Sequence, residues 1–509
     1  MNKQTGVNFI AQVISFAINL SVSFFLTPFI IKNIGVEANG FVALANNFIE
    51  YALLFTMAIN SMAGRFITIK IQQKNYAEAN KYFTSVFFAN VFLSIVFTVI
   101  FSFVIIFLEK ILNISQTSVV DIKILWILIF LNFIISLFGS VFSVSTFVSD
   151  RLDKIAICTA RGVIIKAIVL VFCYKFFKPY TMFVGVATVF MGIQHLISNM
   201  IYKKQLTPEL HIKKTDFNMK CIKELVNSGI WNSISQLSSI LSSGLDLLIT
   251  NIFVSGIAMG VLNVSKTISN VLLSLFVSLA HIFTPQLTIA YAKNNFSEIK
   301  NQLISSIKLL GFFSSIPIAI LIGFGKEFYS LWVPTQDSGF LYLLTTITCF
   351  QLVFVLPLGP IQNLFIVMNK VKISSISMVI FSVMSISTVF IGLNFIKNEN
   401  VQIIYIAAVG AIFSVLRVVI FLPIYGAKCL GCNASMFYLV IIKNMVSVAV
   451  LSAIALVLKF SFRADSWIKL IIDCGIVGII GLISNILILF SRKEISEMVC
   501  NLKKKLNRV

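Results

Sequence analysis

Apolar blocks of about twenty residues or more recur along the whole chain, separated by short stretches rich in Lys, Asn and Gly. A helix needs about 20 residues at 1.5 Å each to cross a bilayer core. The blocks predict helices over 8–31, 39–62, 82–108, 122–148, 155–177, 181–201, 229–253, 258–282, 304–324, 340–367, 374–396, 402–424, 438–458 and 468–490. No polar stretch is long enough to fold as a separate globular domain. Phe9 to Ile31 is too long for the apolar core of a signal peptide and lacks a small-residue cleavage site, so it is expected to remain as the first span.

Composition agrees with this reading. Of 509 residues, 58% are hydrophobic and 12% charged, with a mean hydropathy of +0.97. A cytosolic enzyme or a nucleic-acid binder is excluded by that balance. The net charge of +21 therefore reads mainly as topology. With both termini inside, the outer loops carry only Lys32, Lys110, Lys178, Lys326, Lys397, Lys459 and Arg463, and the inner segments carry more than three times as many cations. Those inner segments include 202–223 and the basic tail. By this bias both termini are expected on the cytoplasmic side of the membrane. Outer loops are short, leaving little room for an extracellular catalytic domain. Cysteines are scattered through apolar runs, and the Cys429/Cys432 pair lacks two further ligands for zinc. No metal or cofactor is expected.

The second pair of helices recurs 220 residues later. Gly40 matches Gly260, Thr68-Ile69 matches Thr288-Ile289, and Asn75-Tyr76-Ala77-Glu78 matches Asn295-Phe296-Ser297-Glu298. Asn three residues before Glu, just ahead of an apolar run, predicts a capped helix start in both copies. The first helix matches the seventh at a lag of 224: Asn8, Gln12, Ser15 and Asn19 against Asn232, Gln236, Ser239 and Ser243. The four-residue difference is expected near the first outer loop. In each helix these positions share an arc of about 80° at 100° per residue. A polar stripe avoids lipid tails, so it faces neighbouring helices or water. Six helices separate the copies, which predicts a parallel repeat and an all-α membrane architecture. Its domains are a lobe over 1–203, a basic cytoplasmic linker over 204–228, a lobe over 229–425, two added helices within 438–490 and a tail over 491–509.

Ionisable residues within the spans mark a pathway or a pair. The acids are Glu50 and Asp246. Asp246 and Lys266 fall at matching depths, roughly 10–13 Å at 1.5 Å per residue, which suits a salt bridge. The buried cations are Arg161, Lys166, Lys266 and Arg417, with Arg65 at the cytoplasmic end of the second helix; Asn270 occupies the repeat position of Glu50. A cationic excess suits a diphosphate or acidic sugar, which Arg grips in two-pronged fashion. Pro317, Pro357 and Pro360 are expected to interrupt the ninth and tenth helices. No nucleotide-binding, nucleophile-elbow or zinc-hydrolase motif is present.

The Asn/Gln-rich first helix, Gly35 to Gly40, Gly244-Leu245-Asp246, Gly260 to Lys266, and Pro285 with a basic segment resemble, in order and spacing, a Wzx-type oligosaccharide flippase. That family lies in the polysaccharide-transport branch of the MOP exporter superfamily. The resemblance implies a MATE-like fold of two six-helix lobes plus two added helices. It also implies transport of undecaprenyl-diphosphate-linked oligosaccharide to the outer leaflet for O-antigen, capsule or exopolysaccharide synthesis. Membrane lipids and a polysaccharide polymerase or export machinery are the implied partners, with no nucleic acid. By this reading Arg65, Lys166, Lys266, Arg417 and Arg161, with Asn8, Gln12, Asn19, Asn232, Gln236 and Asn270, bind substrate by alternating access. Glu50 and Asp246 couple to a proton or sodium gradient or balance charge. The alternatives are a lipid II flippase, whose first-helix arginines this chain lacks, a MATE-type drug/cation antiporter, and a membrane polymerase or ligase.

Overall fold

The computed structural model describes residues 3–368, 370–461 and 465–490. Among these, every regular element is helical. Twelve helices are long and apolar enough to cross a membrane. One of them, Ile10–Gln72, is 63 residues long and contains two crossings. The chain is a multi-pass membrane protein, and about fourteen crossings fit the helices.

The chain divides into two compact units, Met1–Asn263 and Val264–Val509. The first holds α1 (Lys3–Gln72), α2 (Tyr76–Ile106), α3 (Leu108–Ile111), α4 (Val119–Val148), α5 (Leu152–Phe176), α6 (Met182–Leu206), α7 (Met219–Ser239), a π-helical turn (Ile240–Gly244) and α8 (Asp246–Phe253). Then α9 (Gly256–His281) leads into the second unit. That unit holds α10 (Thr284–Ala292), α11 (Phe296–Trp332), α12 (Ser338–Phe350), α13 (Leu352–Val367), α14 (Val371–Leu393), α15 (Glu399–Leu416), a second π-helical turn (Arg417–Phe421), α16 (Leu422–Leu430), α17 (Ser435–Ser461) and α18 (Trp467–Leu489).

The expected first outer loop is a single joint. Within α1 only Gly35 leaves helical geometry, at φ 88° and ψ 168°. A positive φ of this kind suits glycine, which has no Cβ to clash. In α11, helix continues through Pro317. The tenth predicted helix is broken at Gln351, on the N-terminal side of Pro357 and Pro360, which both lie inside α13.

The repeat is reproduced in backbone detail. Lys74 and Asn294 both adopt left-handed backbone, at φ 58° and 51°. Before α2, Lys74 N–H donates to Ile71 O (2.8 Å) and Asn75 N–H to Lys70 O (2.9 Å). Before α11, Asn294 N–H donates to Tyr291 O (2.9 Å) and Asn295 N–H to Ala290 O (3.0 Å). The predicted caps close next: Asn75 and Asn295 each accept from the Glu78 or Glu298 amide at 3.1 Å. One turn type, using the same donors and acceptors, ends one helix and starts the next in both copies.

The core of the first unit joins Ile67, Tyr82, Phe83, Val141, Leu210 and Leu225. Leu210 lies between α6 and α7 and Leu225 in the first turns of α7, so the expected linker at 204–228 is part of the packed unit. The core of the second gathers Ile307, Leu310, Ile361, Leu364 and Phe437 from α11, α13 and α17. Helices α17 and α18 are fastened to α11: Asn485 Nδ2 donates to Phe312 O (2.8 Å) and Ser315 Oγ (2.7 Å), Ser447 donates to Asn485, and Lys459 pairs with Glu327 at 2.9 Å.

Candidate functional site

The polar stripe of α1 splits into two fates. Its first member, Asn8, is 7% exposed and belongs to the start of α5. Its Nδ2 donates to Asp150 O (3.0 Å) and Oδ1 (3.1 Å), and its Oδ1 accepts from the Asp153 amide (3.0 Å). Gln4 joins both Asn8 and Asp153, and Arg151 grips the Asp153 carboxylate with two bonds of 2.9 Å. That carboxylate also holds the Arg151 guanidinium above its usual pKa. Further along, Gln12, Asn19 and Ser23 are exposed, as are Asn46, Glu50, Ser61 and Arg65 beyond the Gly35 joint. An exposed polar track therefore runs along both halves of α1.

The stripe of α7 is partly consumed by contact with α1. A Cβ at Gly229 would strike the carbonyl of Ala58, so the two backbones meet there. Beside this contact Asn232 Nδ2 donates to Ser61 Oγ (3.0 Å) and Ser233 Oγ to Leu54 O (2.8 Å). Gln236 is half-buried. Where α7 gives way to the π-turn, Gly244 O accepts from Asn47 Nδ2 (3.1 Å) and from the Tyr51 hydroxyl (2.6 Å). A π-turn displaces carbonyls from the α-helical ladder, and two α1 side chains satisfy this one. Glu50 precedes Tyr51 in α1, and Asp246 follows by two residues the Gly244 carbonyl that the Tyr51 hydroxyl caps. Both acids singled out in the sequence thus flank the Tyr51–Gly244 hydrogen bond in sequence.

On α5, Arg161 is exposed and Lys166 half-buried. In the second unit, α9 packs on α12 through Ser265 and Ser269: Ser265 O accepts from Thr345 (3.2 Å), and the Ser269 hydroxyl meets Thr348 (3.0 Å) and Cys349 (3.1 Å). Lys266 and Asn270, each one residue further on, occupy the adjoining face, half-buried and exposed respectively. Arg417 begins the π-turn after α15. It is 8% exposed, and its Nε has no hydrogen-bond partner among the described residues.

A second cluster lies at the Gly35 end of the first unit. Glu37 is 1% exposed. Its Oε1 accepts from Ser115 N (2.7 Å) and Oγ (3.1 Å); its Oε2 accepts from Gln116 N (2.7 Å), Thr117 N (2.8 Å) and Thr117 Oγ1 (2.9 Å). Asn113 and Asn251 exchange bonds: Asn113 N to Asn251 Oδ1 (3.0 Å), Asn113 Nδ2 to Asn251 O (2.8 Å), and Asn251 Nδ2 to Asn113 O (3.1 Å). The repeat-related glycines meet here too. A Cβ on Gly40 would lie 2.8 Å from Gly260 Cα, and one on Gly256 would lie 2.7 Å from Asn113 O. Glu37, Asn113, Asn251 and Tyr51 were absent from the sequence-derived candidates. The only sequence signal for Glu37 was a lone acid between two glycines.

No protein-family model matches the chain. Over 465 residues it is 24% identical to the uncharacterised membrane protein EpsK of Bacillus subtilis (strain 168), covering 91% of each. Among solved structures it superposes on an inward-facing multidrug resistance MATE transporter of the MOP superfamily with a TM-score of 0.68 and 13% identity, over 82% of this chain and 98% of that one. The fold is that of the MOP-superfamily transporters. It also matches the lipid II flippase MurJ in an inward closed conformation, with a TM-score of 0.65 and 14% identity over 94% and 97% of the two chains. A MOP transporter from Pyrococcus furiosus, described as having a binding pocket of reverse polarity, gives a TM-score of 0.60 at 14% identity over 83% and 95%. The matched neighbours are transporters and a flippase; identities this low establish the fold alone.

Proposed function

We propose that the chain is a flippase that moves undecaprenyl-diphosphate-linked oligosaccharide from the cytoplasmic to the outer leaflet of a bacterial plasma membrane, for O-antigen, capsule or exopolysaccharide synthesis. The observation that carries this reading is the set of cations on polar helices of a transporter fold: exposed Arg65 and Arg161, with half-buried Lys166 and Lys266. Two negative phosphates call for several such groups, and Arg supplies paired donors. In this proposal the termini are cytoplasmic, by the bias of Lys and Arg. Arg65 then sits toward the cytoplasm and attracts the diphosphate. Lys166 and Lys266 hold it, while Gln12, Asn19 and Asn270 meet sugar hydroxyls. Arg417 contributes a buried positive charge. Asn8 and Asn232 act through packing, because hydrogen bonds within the first unit engage their amides. Glu50 and Asp246, one beside each end of the Tyr51–Gly244 hydrogen bond in sequence, are the proposed point of coupling to a proton or sodium gradient.

Arg65→Ala and Lys266→Ala, at normal membrane levels, are expected to impair export of the polymer, and unimpaired export in both variants overturns the site assignment. The two membrane-embedded carboxylates, Glu50 and Asp246, favour one competing reading, a drug/cation antiporter. Overexpression in a drug-sensitive host separates the two: drug resistance without rescue of polymer export supports the antiporter.

A further inference from the structure

The segment between α6 and α7 is held against α2 and α4 along its length. Buried Asn80 and Thr84 of α2 act as a docking edge for its backbone. Asn80 donates to Glu209 O (3.2 Å) and accepts from the His211 amide (2.8 Å). Thr84 Oγ1 donates to His211 O (3.3 Å) and accepts from the Lys213 amide (3.4 Å). Ser85 exchanges two bonds with the Asn218 backbone, at 2.9 and 3.2 Å. Thr207 donates to Ser145 (2.6 Å), Tyr82 donates to Glu224, and Leu210 is 0% exposed. Six polar contacts and a buried leucine fix the backbone of this segment.

The docked segment leaves a crevice of about 150 Å³ against the helix ends. Phe83, Phe142, Met200 and Ile212 form its apolar walls; Lys203, Lys204 and His211 complete the lining. Among the described residues, no carboxylate lies within 4 Å of Lys203 or Lys204, nor of Lys213 or Lys214 on the docked segment. The acids facing the site are Glu209, which bears on Lys203, and Asp216, 3.7 Å from His211 Nε2. Along α6, Ile193, Ile197, Met200 and Ile201 are exposed apolar residues at helical spacing, and Lys204 continues their stripe. An apolar stripe topped by cations that form no ion pair within 4 Å, beside a small aromatic-walled crevice, has the shape and charge of a lipid: tails below, an anionic group above.

We propose that this crevice binds the phosphate headgroup of an anionic phospholipid of the cytoplasmic leaflet, with Lys203 and Lys204 as its principal contacts. The proposal rests on the orientation given under the proposed function. A bound lipid ties the docked segment to the membrane plane where the two repeats join in sequence.

The test uses the purified full-length chain in nanodiscs of phosphatidylcholine doped with spin-labelled phosphatidylglycerol. Wild type should retain phosphatidylglycerol in preference to labelled phosphatidylcholine. Each lysine removed should weaken that preference about fivefold, the equivalent of about 1 kcal/mol per cation at the surface. Lys204→Gln alone, at an exposed position, and Lys203→Gln/Lys204→Gln together should show this, while Lys293→Gln/Lys300→Gln leaves the preference unchanged. Equal preference in wild type and the double variant overturns the proposal. So does displacement by millimolar inorganic phosphate, which identifies a site for free anions. Displacement by undecaprenyl diphosphate but not by unlabelled phosphatidylglycerol also overturns it, in favour of a substrate-loading site. None of these outcomes measures export, so failure here leaves the flippase reading standing, and loss of export in the Arg65 and Lys266 variants is judged separately.

Discussion

Glu37→Gln tests the cluster at the Gly35 end most directly. The native carboxylate receives three backbone N–H groups and two hydroxyls while 1% exposed. Substitution turns one oxygen into an NH2 donor. If the amide nitrogen takes the Oε2 place, the Gln116 and Thr117 amides face a donor; if it takes the Oε1 place, the Ser115 amide does. A hydrogen bond to a charged group contributes about 1.5–3 kcal/mol, and an orphaned buried donor costs about 1–3 kcal/mol. Loss of at least one charged bond, together with an orphaned donor, gives about 3 kcal/mol, or somewhat over a hundredfold in the population of the opened loop. Hydrogen exchange followed by mass spectrometry reads this locally, because these three amides owe their protection to that one side chain. Peptides covering 113–118 should exchange about a hundredfold faster in the variant, whereas the 76–86 segment should be unchanged. Exchange within a factor of three of wild type would refute the reasoning.

Three further substitutions probe other parts of the fold. Gly40→Val places its side chain within 3 Å of Gly260 Cα and Met259 Cε; overpacking of this kind costs about 1–3 kcal/mol, and a lower monodisperse yield on fluorescence-detected size exclusion should report it. Asn8→Ala removes the side chain that receives the Asp153 amide and holds the Asp150 carbonyl, and should lower stability by about 1–2 kcal/mol in a thermal melt without abolishing export. Lys74→Gly relieves a left-handed backbone at φ 58° and should raise the melting temperature, by the equivalent of about 1 kcal/mol, while Gln73→Gly, in ordinary backbone, should not.

The crossings and the repeat were legible because both rest on patterns local to the chain. Block length specifies a span, and Asn75 with Glu78, matched by Asn295 with Glu298, specifies a helix start through bonds three residues apart. Partners distant in sequence were not legible. Periodicity showed that Asn8, Gln12 and Asn19 share a face, but not that Asn8 is taken by Asp150 and Asp153 around the start of α5, 142 and 145 residues away, while Gln12 and Asn19 stay exposed. In the same way, charge marked 204–228 as a basic connection, yet the residues that seat it are Asn80, Thr84 and Ser85 in the first turns of an apolar helix, where their polarity reads as incidental. Proline positions did not mark the helix ends: at Pro317, Pro357 and Pro360 the helix loses one donor yet continues as helix, and the tenth predicted helix is divided at Gln351 instead.

The two copies differ by one helical turn. From Asn8 to Gly40 the chain uses four more residues than from Asn232 to Gly260, and Glu37 lies in the stretch around the Gly35 joint where that extra turn belongs. Shifts of 220 and 224 residues both bring Glu37 onto an aliphatic residue, Ile257 or Val261. The halves have therefore ceased to be interchangeable. A gene shuffled to repeat its first portion would encode the acidic fastener twice, and one repeating its second portion would encode none, so circular permutants preserve the molecule's single clasp where tandem duplications do not.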